Sequence, residues 1–242
     1  MNLKNKIALV TGGSSGMGEA IAKKLDESEC RVIITYQKNE NGAEDVLSSF
    51  QNEGAKFKLD LRKDTDILEL FAFIKDKFGK LDILVNNAGA NRPRELMAMS
   101  TWREIFQINL FGLVMCTDEA VKLMSEGGKI LNISSIYGDG PACWKGLTAY
   151  GAAKASVNHF TQTMAKNLAP KILINALAPG YVKTPLWKDT TEEEFVKSGE
   201  EQLIERMILP DEIAQMAIAI IENDAMTGSI VRVDGGVSLK TV

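Results

Sequence analysis

Histidine and cysteine are scarce in this 242-residue sequence, which contains one histidine and three cysteines. The cysteines, Cys30, Cys116 and Cys143, are widely spaced and odd in number, so no disulfide framework is indicated. His159 is the single histidine, so no His/Cys metal cluster is predicted and we expect no bound metal. Few cysteines without a pairing pattern favour a reducing, cytoplasmic location.

Long apolar runs and clusters of positive charge are also missing. No stretch approaches the ~20 apolar residues of a membrane-spanning helix, and the opening residues 1–6 are too short for a signal peptide. The formal net charge is −4 and no basic run occurs. Because phosphate binding requires clustered Lys and Arg, nucleic acid is not expected as a partner. A membrane is not expected either.

Apolar β-rich runs alternate with amphipathic stretches along the whole chain. A chain with 45% hydrophobic residues can bury one large core, so residues 1–242 are predicted to form a single domain. The runs predict strands at 6–10, 31–35, 55–59, 81–85, 128–134, 172–178 and 228–233. Helical spacing predicts helices at 67–74 and 102–123, from Tyr150, at 191–206 and from Asp211. This alternation predicts an α/β fold, a Rossmann-like doubly wound parallel sheet of about seven strands with helices on both faces.

A glycine-rich turn follows the first predicted strand. Residues 11–18 read Thr-Gly-Gly-Ser-Ser-Gly-Met-Gly and lead into an amphipathic helix. Glycines let the backbone approach a pyrophosphate, and the helix N-terminus offers free N–H groups to it. The alternative is a glycine turn without a ligand.

The end of the second strand bears on the choice of cofactor. An acidic side chain there would bind the ribose hydroxyls of NAD, but the sequence has Tyr36, Gln37 and Lys38. No carboxylate would repel a 2′-phosphate, and Lys38 could meet it. NADP is therefore predicted in preference to NAD.

Polar residues also follow or interrupt later elements. Asn86-Asn87-Ala88-Gly89 ends a strand and could set its loop against a flat ligand or form a tight turn. Asn109 interrupts an apolar helical stretch, so it marks either a kink or a polar site. Ser134 and Ser135 end the fifth strand, and alternation puts at most one of them beside a shared ligand.

Tyr150 and Lys154 stand one helical turn apart on one side of a predicted helix. An ammonium beside a phenol favours the phenolate and lowers its pKa. Such a pair can exchange a proton with a carbonyl or an alcohol. The alternative is that Tyr150 is structural.

Taken together, the chain resembles the short-chain dehydrogenase/reductase family. Residues 11–18 match its Thr-Gly-x-x-x-Gly-x-Gly, residues 86–89 its Asn-Asn-Ala-Gly, and residues 150–154 its Tyr-x-x-x-Lys. Further matches in family order are Asn109, Ser135, Pro179-Gly180 and Asp234-Gly235-Gly236. The resemblance covers residues 3 to 237.

The resemblance implies four catalytic residues. Tyr150 would be the general acid/base, and Ser135 would hydrogen-bond the substrate oxygen. Lys154 would hold the nicotinamide ribose and lower the tyrosine pKa, and Asn109 would anchor a proton-relay water.

A larger set is implied to bind the nicotinamide cofactor. Asp60 and Leu61 resemble the pair that contacts adenine, Asn87 the ribose contact, and Thr184 the group that meets the carboxamide and diphosphate. The full set is Gly12, Ser14, Ser15, Gly16, Met17, Gly18, Tyr36, Lys38, Asp60, Leu61, Asn87, Ala88, Gly89, Tyr150, Lys154, Pro179, Gly180, Val182 and Thr184.

Substrate choice is expected from residues 91–94, 136–149 and 186–206. Their aromatic and apolar side chains predict a partly apolar pocket, or they only close the core. Arg92, Arg94 and Lys188 could meet an anionic substrate or a carrier protein. Ser135 and Tyr150 are fifteen residues apart, wider than the family spacing, which affects the loop between them.

The predicted function is an NADP(H)-dependent oxidoreductase acting on the carbonyl or alcohol of a small molecule. A 3-oxoacyl-acyl-carrier-protein reductase is the nearest alternative. A non-catalytic dinucleotide-binding sensor or scaffold is an alternative of another class. Family resemblance also implies a homotetramer or a homodimer.

Overall fold

The computed structural model describes residues 1–91, 98–139, 146–188 and 190–239. Seven strands form one parallel sheet: β1 Ile7–Val10, β2 Arg31–Tyr36, β3 Ala55–Lys58, β4 Ile83–Asn86, β5 Gly128–Ile133, β6 Ile172–Pro179 and β7 Ile230–Val233. The spatial order is β3-β2-β1-β4-β5-β6-β7. The direction in which successive strands are added to the sheet therefore reverses between β1 and β4. In doubly wound sheets a crevice that binds ligands opens at this point.

Helices cover both faces of this sheet, so the predicted fold class is confirmed. The helices are α1 Gly16–Glu27, α2 Glu40–Ser48, α3 Asp64–Phe78, α4 Met99–Phe106, α5 Gly112–Leu123, α6 Thr148–Leu168, α7 Glu192–Glu200 and α8 Pro210–Glu222. The core on one face takes side chains from α1, α2 and α8, and the core on the other takes them from α3, α5 and α6.

The two cores are built from alternate residues of the same strands. In β1, Ile7 and Leu9 belong to the α3 and α5 side, whereas Ala8 and Val10 belong to the α1 and α8 side. Alternation of this kind needs both faces to be apolar, which explains why the central strands read as continuous apolar runs.

One predicted helix is interrupted in the structure. The stretch predicted at 102–123 begins at Met99 and contains a π-helical segment, Gln107–Phe111, between α4 and α5. Asn109 lies in this segment and is buried. Its position as a break in the apolar pattern was visible in the sequence, but the π-helical geometry was not.

Other helices also differ from the predictions. Helix α2 was not predicted, because only Ala43 and Val46 on it are buried. Helix α7 ends at Glu200, and the remainder of the predicted 191–206 helix forms turns. Helix α8 begins at Pro210, one residue before the predicted Asp211, and the Glu212 carboxylate accepts from the Leu209 N–H at 2.8 Å.

No helix among the described residues is long and apolar enough to cross a membrane. In the same ranges, no group of three or more His, Cys, Asp or Glu side chains is placed to hold a metal ion. Cys30 and Cys116 are buried free thiols, and burial raises the pKa of each to about 12.

Candidate active site

The glycine turn joins β1 to α1 at the crevice. Gly12 and Gly16 have φ angles of 66° and 60°, a region that glycine adopts without strain. A Cβ placed on Gly18 would overlap the carbonyl oxygen of Gly12, so the turn closes on the start of the helix only because this position is glycine. Ser15 precedes α1 without a side-chain capping bond. The first turn of the helix therefore faces the crevice with its backbone N–H groups.

The loop after β4 holds this turn in place. Asn87 donates its Nδ2 hydrogens to the carbonyl oxygens of Thr11 at 2.9 Å and Gly12 at 3.1 Å. The backbone N–H of Ala88 donates to Thr11 Oγ1 at 3.0 Å. The side-chain amide nitrogen of Asn87 is thus engaged with the remote glycine turn and not with the backbone of its own loop.

A cleft of about 330 Å³ opens above these two loops. Most of the predicted cofactor residues line it: Gly12, Ser14, Ser15, Gly16, Met17, Gly18, Tyr36, Lys38, Asp60, Leu61, Asn87, Ala88, Gly89 and Thr184. Sequence reasoning did not assign the other lining residues to the cofactor: Thr35, Gln37, Leu59, Arg62, Ala90, Glu104, Ile108, Pro185 and Leu186. Most of these adjoin a predicted residue in sequence, but Glu104 and Ile108 come from the 99–111 helical stretch and had no motif to mark them.

Charges at the far end of the cleft are paired. Arg62 donates to the Asp60 carboxylate through Nε at 2.8 Å and Nη2 at 2.5 Å, and it lies 3.8 Å from Glu104. Hydrogen bonds from Arg62 and Gln37 hold the pKa of Asp60 well below its usual range. Lys38 is exposed at the rim, directly after the end of β2. This end of the cleft is therefore not strongly negative.

Tyr150, Ser135, Lys154 and Asn109 come together on the other side of Gly89. The hydroxyl of Ser135 hydrogen-bonds that of Tyr150. Lys154 Nζ lies 5.6 Å from the centroid of the Tyr150 ring and donates to the carbonyl oxygen of Ile133 at 2.7 Å. Helix α6 supplies Tyr150 and Lys154, the end of β5 supplies Ser135, and the π-helical segment supplies Asn109.

Asn109 fixes the loop that carries Gly89. Its Nδ2 donates to the carbonyl oxygens of Ala90 at 2.8 Å and Ile105 at 2.9 Å, and its Oδ1 accepts from the Ala90 N–H at 3.3 Å. A Cβ placed on Gly89 would lie 2.8 Å from Asn109 Oδ1 and 3.7 Å from Lys154 Nζ. The cleft therefore meets the cluster of Tyr150, Ser135, Lys154 and Asn109 at Gly89. A side chain at position 89 would separate the cleft from this cluster.

Burial shifts the pKa values of Tyr150 and Lys154. It raises the pKa of Tyr150 to about 12, against the opposing effect of the Ser135 hydrogen bond, and lowers the pKa of Lys154 to about 8. In this structure burial dominates the pKa of Tyr150, so the implied effect of Lys154 on the tyrosine stays a prediction. The physical reason is that Lys154 Nζ is directed to the Ile133 carbonyl while desolvation penalises both charged forms.

The two adjacent serines have separate partners. Ser134 Oγ donates to Asn158 Oδ1 at 2.5 Å, whereas Ser135 faces Tyr150. Ser135 Oγ also accepts from the Tyr137 N–H at 3.2 Å. One serine of the pair is thus near the tyrosine hydroxyl, in the way that alternation predicts.

Pro179, Gly180 and Val182 lie near the carboxyl end of β6 and do not line the cleft. A Cβ placed on Gly180 would lie 2.8 Å from Asp234 Cα, so this glycine permits close packing against the Asp234-Gly235-Gly236 turn. Val182 is buried and bridges to Ile208.

Aromatic rings extend from Tyr150 towards α7. Successive ring centroids are 6.2 Å apart for Tyr150 and Tyr137, 6.4 Å for Tyr137 and Tyr181, 6.0 Å for Tyr181 and Trp187, and 6.0 Å for Trp187 and Phe195. The Tyr137 ring thus lies between the rings of Tyr150 and Tyr181. Arg92 and Arg94, which were also named for the substrate, lie outside the described residues, as does the part 140–145 of the range 136–149.

The fold and the site together define a class, an oxidoreductase built on a dinucleotide-binding sheet with a tyrosine beside its cleft. The short chain dehydrogenase family model matches residues 6–194. The chain belongs to the short-chain dehydrogenase/reductase family and is an oxidoreductase that acts on CH–OH or carbonyl groups.

Named relatives in this family have different substrates. The chain is 31% identical to the 3-oxoacyl-[acyl-carrier-protein] reductase FabG of Buchnera aphidicola, over 98% of each protein. It is 32% identical to glucose 1-dehydrogenase 2 of Bacillus subtilis, over 98% of this chain and 96% of that protein. Among solved structures, the Pseudomonas aeruginosa RhlG/NADP complex matches with a TM-score of 0.90 and 28% identity over 98% of each chain.

Proposed function

We propose that this protein is an NADP(H)-dependent oxidoreductase that transfers a hydride between nicotinamide and the carbonyl or alcohol of a small, partly apolar substrate. The observation that carries the proposal is the hydroxyl pair of Tyr150 and Ser135 beside Lys154, whose Nζ reaches Gly89 at the edge of the cleft. A carbonyl oxygen between the two hydroxyls would accept hydrogen bonds from both.

In the reduction, Tyr150 gives its phenolic proton to the carbonyl oxygen as the carbonyl carbon receives a hydride. The bound nicotinamide supplies that hydride and accepts it in the reverse direction. Ser135 stabilises the negative charge that develops on the oxygen. A pKa of about 12 keeps Tyr150 protonated at neutral pH and ready to act as an acid.

Lys154 and Asn109 prepare the site in this proposal. Lys154 Nζ, close to Gly89, would bind the nicotinamide ribose, and its positive charge would stabilise the phenolate left after proton transfer. Asn109 holds the loop around Ala90 and would anchor the water through which Tyr150 regains its proton.

The remaining predicted cofactor residues follow the cleft. The α1 N-terminus and residues 12–18 would bind the diphosphate, Asp60 and Leu61 the adenine, and Thr184 the diphosphate and carboxamide. Gly16 and Thr184 face each other, since a Cβ on Gly16 would lie 3.2 Å from Thr184 Cβ. Pro179, Gly180 and Val182 would support the nicotinamide from the end of β6.

The preference for NADP rests on the end of β2. Tyr36-Gln37-Lys38 offers a cation and no carboxylate, and the two carboxylates of the cleft, Asp60 and Glu104, both neighbour Arg62. The similar RhlG structure is a complex with NADP. Direct titration should give tighter binding of NADPH than of NADH, and equal affinities would contradict this part of the proposal.

Aromatic and apolar side chains support a partly apolar substrate. Tyr137, Tyr181, Trp187 and Phe195 pack with Ile136 and Met207 beside Tyr150. The FabG relatives favour a second candidate, a 3-oxoacyl-acyl-carrier-protein reductase. Faster turnover of a 3-oxoacyl thioester than of simple ketones, reduced by Arg92→Ala or Arg94→Ala, would select this candidate.

Oxidation of NADPH by the purified protein tests the function. The panel contains acetoacetyl-coenzyme A, acetophenone and phenanthrenequinone, with Tyr150→Phe run in parallel. Turnover by the wild type that falls at least about a hundredfold in Tyr150→Phe would support the reductase. NADPH binding by both proteins without any turnover would favour the sensor or scaffold alternative.

We further propose a single-domain cytoplasmic protein that forms a homotetramer or homodimer. Trp102, Phe106 and Phe111 form an aromatic strip on one side of the 99–111 helical stretch, with Phe111 53% exposed and Met99 58% exposed nearby. Such a strip would be covered in an oligomer. Elution as a monomer in sizing chromatography would contradict the oligomer.

A further inference from the structure

Helix α6 binds the turn after β5 through three residues that stand four positions apart. Tyr150, Lys154 and Asn158 share one side of the helix because residues at i, i+4 and i+8 line up. Tyr150 meets Ser135, Lys154 donates to the Ile133 carbonyl at 2.7 Å, and Asn158 meets the turn itself. The function proposed above uses the first two and leaves Asn158 without a role.

Asn158 joins the two ends of the turn. Its Oδ1 accepts from Ser134 Oγ at 2.5 Å, and its Nδ2 donates to the carbonyl oxygen of Gly138 at 3.1 Å. Ser135 and Tyr137, the residues that contact Tyr150, lie between these two attachment points. The Asn158 amide therefore ties both ends of the segment that faces the tyrosine to helix α6, beside a longer contact of 3.4 Å from Ser134 Oγ to the Lys154 carbonyl oxygen.

The turn and the helix pack closely enough for this contact to matter. A Cβ placed on Gly138 would lie 2.7 Å from the carbonyl carbon of Lys154, and one placed on Gly151 would lie 2.9 Å from the carbonyl oxygen of Tyr137. Both glycines let backbone approach backbone. Within the turn, the Gly138 N–H donates to the Ser135 carbonyl at 3.0 Å, but this bond does not link the turn to α6.

Only a side chain with both an acceptor and a donor at this length can serve both attachments. Aspartate would still accept from Ser134 but would place a carboxylate oxygen against the Gly138 carbonyl, where two acceptors repel. Leucine has the same branching and the same number of side-chain heavy atoms and would serve neither attachment. These two replacements separate loss of the donor from loss of the whole contact.

We propose that Asn158 is a positioning residue of the reaction, which fixes Ser135 relative to the Tyr150 hydroxyl by clamping residues 134 and 138 to helix α6. The inference rests on the proposed catalytic roles of Ser135 and Tyr150. A misplacement of about 1 Å in a catalytic group costs up to about a hundredfold in rate, so the clamp acts on turnover more than on binding.

The first test compares wild type, Asn158→Leu, Asn158→Asp and the neighbouring His159→Ala as control, since His159 is exposed on the same helix. The probes are NADPH and whichever member of the carbonyl panel the wild type reduces fastest. In both Asn158 variants kcat should fall about tenfold to a hundredfold, whereas the dissociation constant of NADPH should stay within about twofold because Asn158 does not line the cleft. His159→Ala should match the wild type.

A double variant separates positioning from general weakening of the fold. If Asn158 acts through Ser135, Asn158→Leu should add little to the loss already caused by Ser135→Ala, because coupled residues are non-additive. Hydrogen exchange provides a readout without turnover: the 134–139 peptide should exchange faster in Asn158→Leu than in His159→Ala, with the β1 and β4 peptides unchanged.

Each outcome has one meaning. An active wild type with unchanged kcat in both Asn158 variants would overturn the inference alone. Full additivity with Ser135→Ala, or unchanged exchange in 134–139, would also overturn it. A wild type that reduces no member of the panel would instead contradict the proposed function, and the inference with it.

Discussion

The cofactor cleft and the segment 184–209 are attached to the same sheet in different ways. The glycine turn of the cleft is fixed by the strands β1 and β4 and by Asn87, whose partners are backbone atoms. Segment 184–209 is attached near its end by Gln202, which is fully buried and exchanges hydrogen bonds with Tyr181 and Arg206. Its α7 presents exposed apolar side chains such as Val196. The glycine turn is thus held between two strands of the sheet, whereas segment 184–209 is held near its end.

The comparison predicts that a small change in the cleft has a larger effect than any in segment 184–209. Gly18→Ala should lower NADPH affinity by at least about a hundredfold, because the added methyl overlaps the Gly12 carbonyl and forces the turn open. Isothermal titration with NADPH measures this directly.

Gly79→Ala is the matched control for Gly18→Ala. Gly79 also has a positive φ, 77°, but nothing lies within 4 Å of an added Cβ. Its replacement should cost about 1 kcal/mol of folding stability and leave NADPH affinity unchanged. If both variants lost the same affinity, close packing at Gly18 would not be the cause.

The tyrosine between the two regions should make the two reaction directions respond differently to pH. Alcohol oxidation needs the phenolate, and the pKa of Tyr150 is about 12, so the oxidation rate should rise up to about tenfold per pH unit from pH 6. The rise should become less steep towards pH 9, because Lys154, with a pKa of about 8, loses the charge that stabilises the phenolate. Carbonyl reduction needs the phenol, which stays protonated throughout that range. Initial rates in both directions at constant ionic strength check this, and an oxidation rate independent of pH would contradict it.

Within the cleft, Lys38 tests the preference for NADPH over NADH. Lys38→Glu should lower the ratio of NADPH to NADH affinity at least about tenfold, because a carboxylate at the end of β2 repels the 2′-phosphate and accepts from ribose hydroxyls. Lys166→Glu, an exposed lysine on α6 outside the cleft, controls for net charge. If Lys38→Glu left the ratio of NADPH to NADH affinity unchanged, Lys38 would not be the residue that contacts the 2′-phosphate.

The smallest effects are expected within segment 184–209, and they should differ along it. Gln202→Leu should cost about 1–3 kcal/mol of stability, since it leaves backbone groups of Tyr181 and Arg206 without their side-chain partner. It should also raise the KM for the carbonyl. Val196→Ala should change stability by less than about 0.5 kcal/mol. Equal effects in urea unfolding would show that the segment is uniformly attached.

Much of the fold could be predicted because its signals are local. The strands are short apolar runs, and the seven predicted ones are all present in the sheet. The glycine turn was predicted for the same reason, since glycine is required where φ is positive. Helix α2 was missed because a helix with two buried residues leaves almost no periodic pattern.

The parts that failed depend on distances between remote residues. Spacing predicted that Lys154 and Tyr150 share a side of α6, but not that the ammonium binds the Ile133 carbonyl and that burial raises the phenol pKa. Arg62 was missed because its pairing with Asp60 depends on the loop after β3. Asn158 was missed although it continues the spacing of Tyr150 and Lys154, because an asparagine in a helix carries no chemical signal without its partners.

The π-helical segment also makes this part of the chain sensitive to length. Each residue of an α-helix turns the chain by about 100°, so one extra residue changes the direction of everything that follows. Trp102 and Phe106 are four residues apart but Phe106 and Phe111 are five, and yet both pairs of rings are in contact, at 5.8 and 6.3 Å. Deleting one residue of the π-helical segment would rotate the residues that follow by about 100°. Phe111 would then turn away from its aromatic strip, and a deletion before Asn109 would also turn Asn109 away from Ala90.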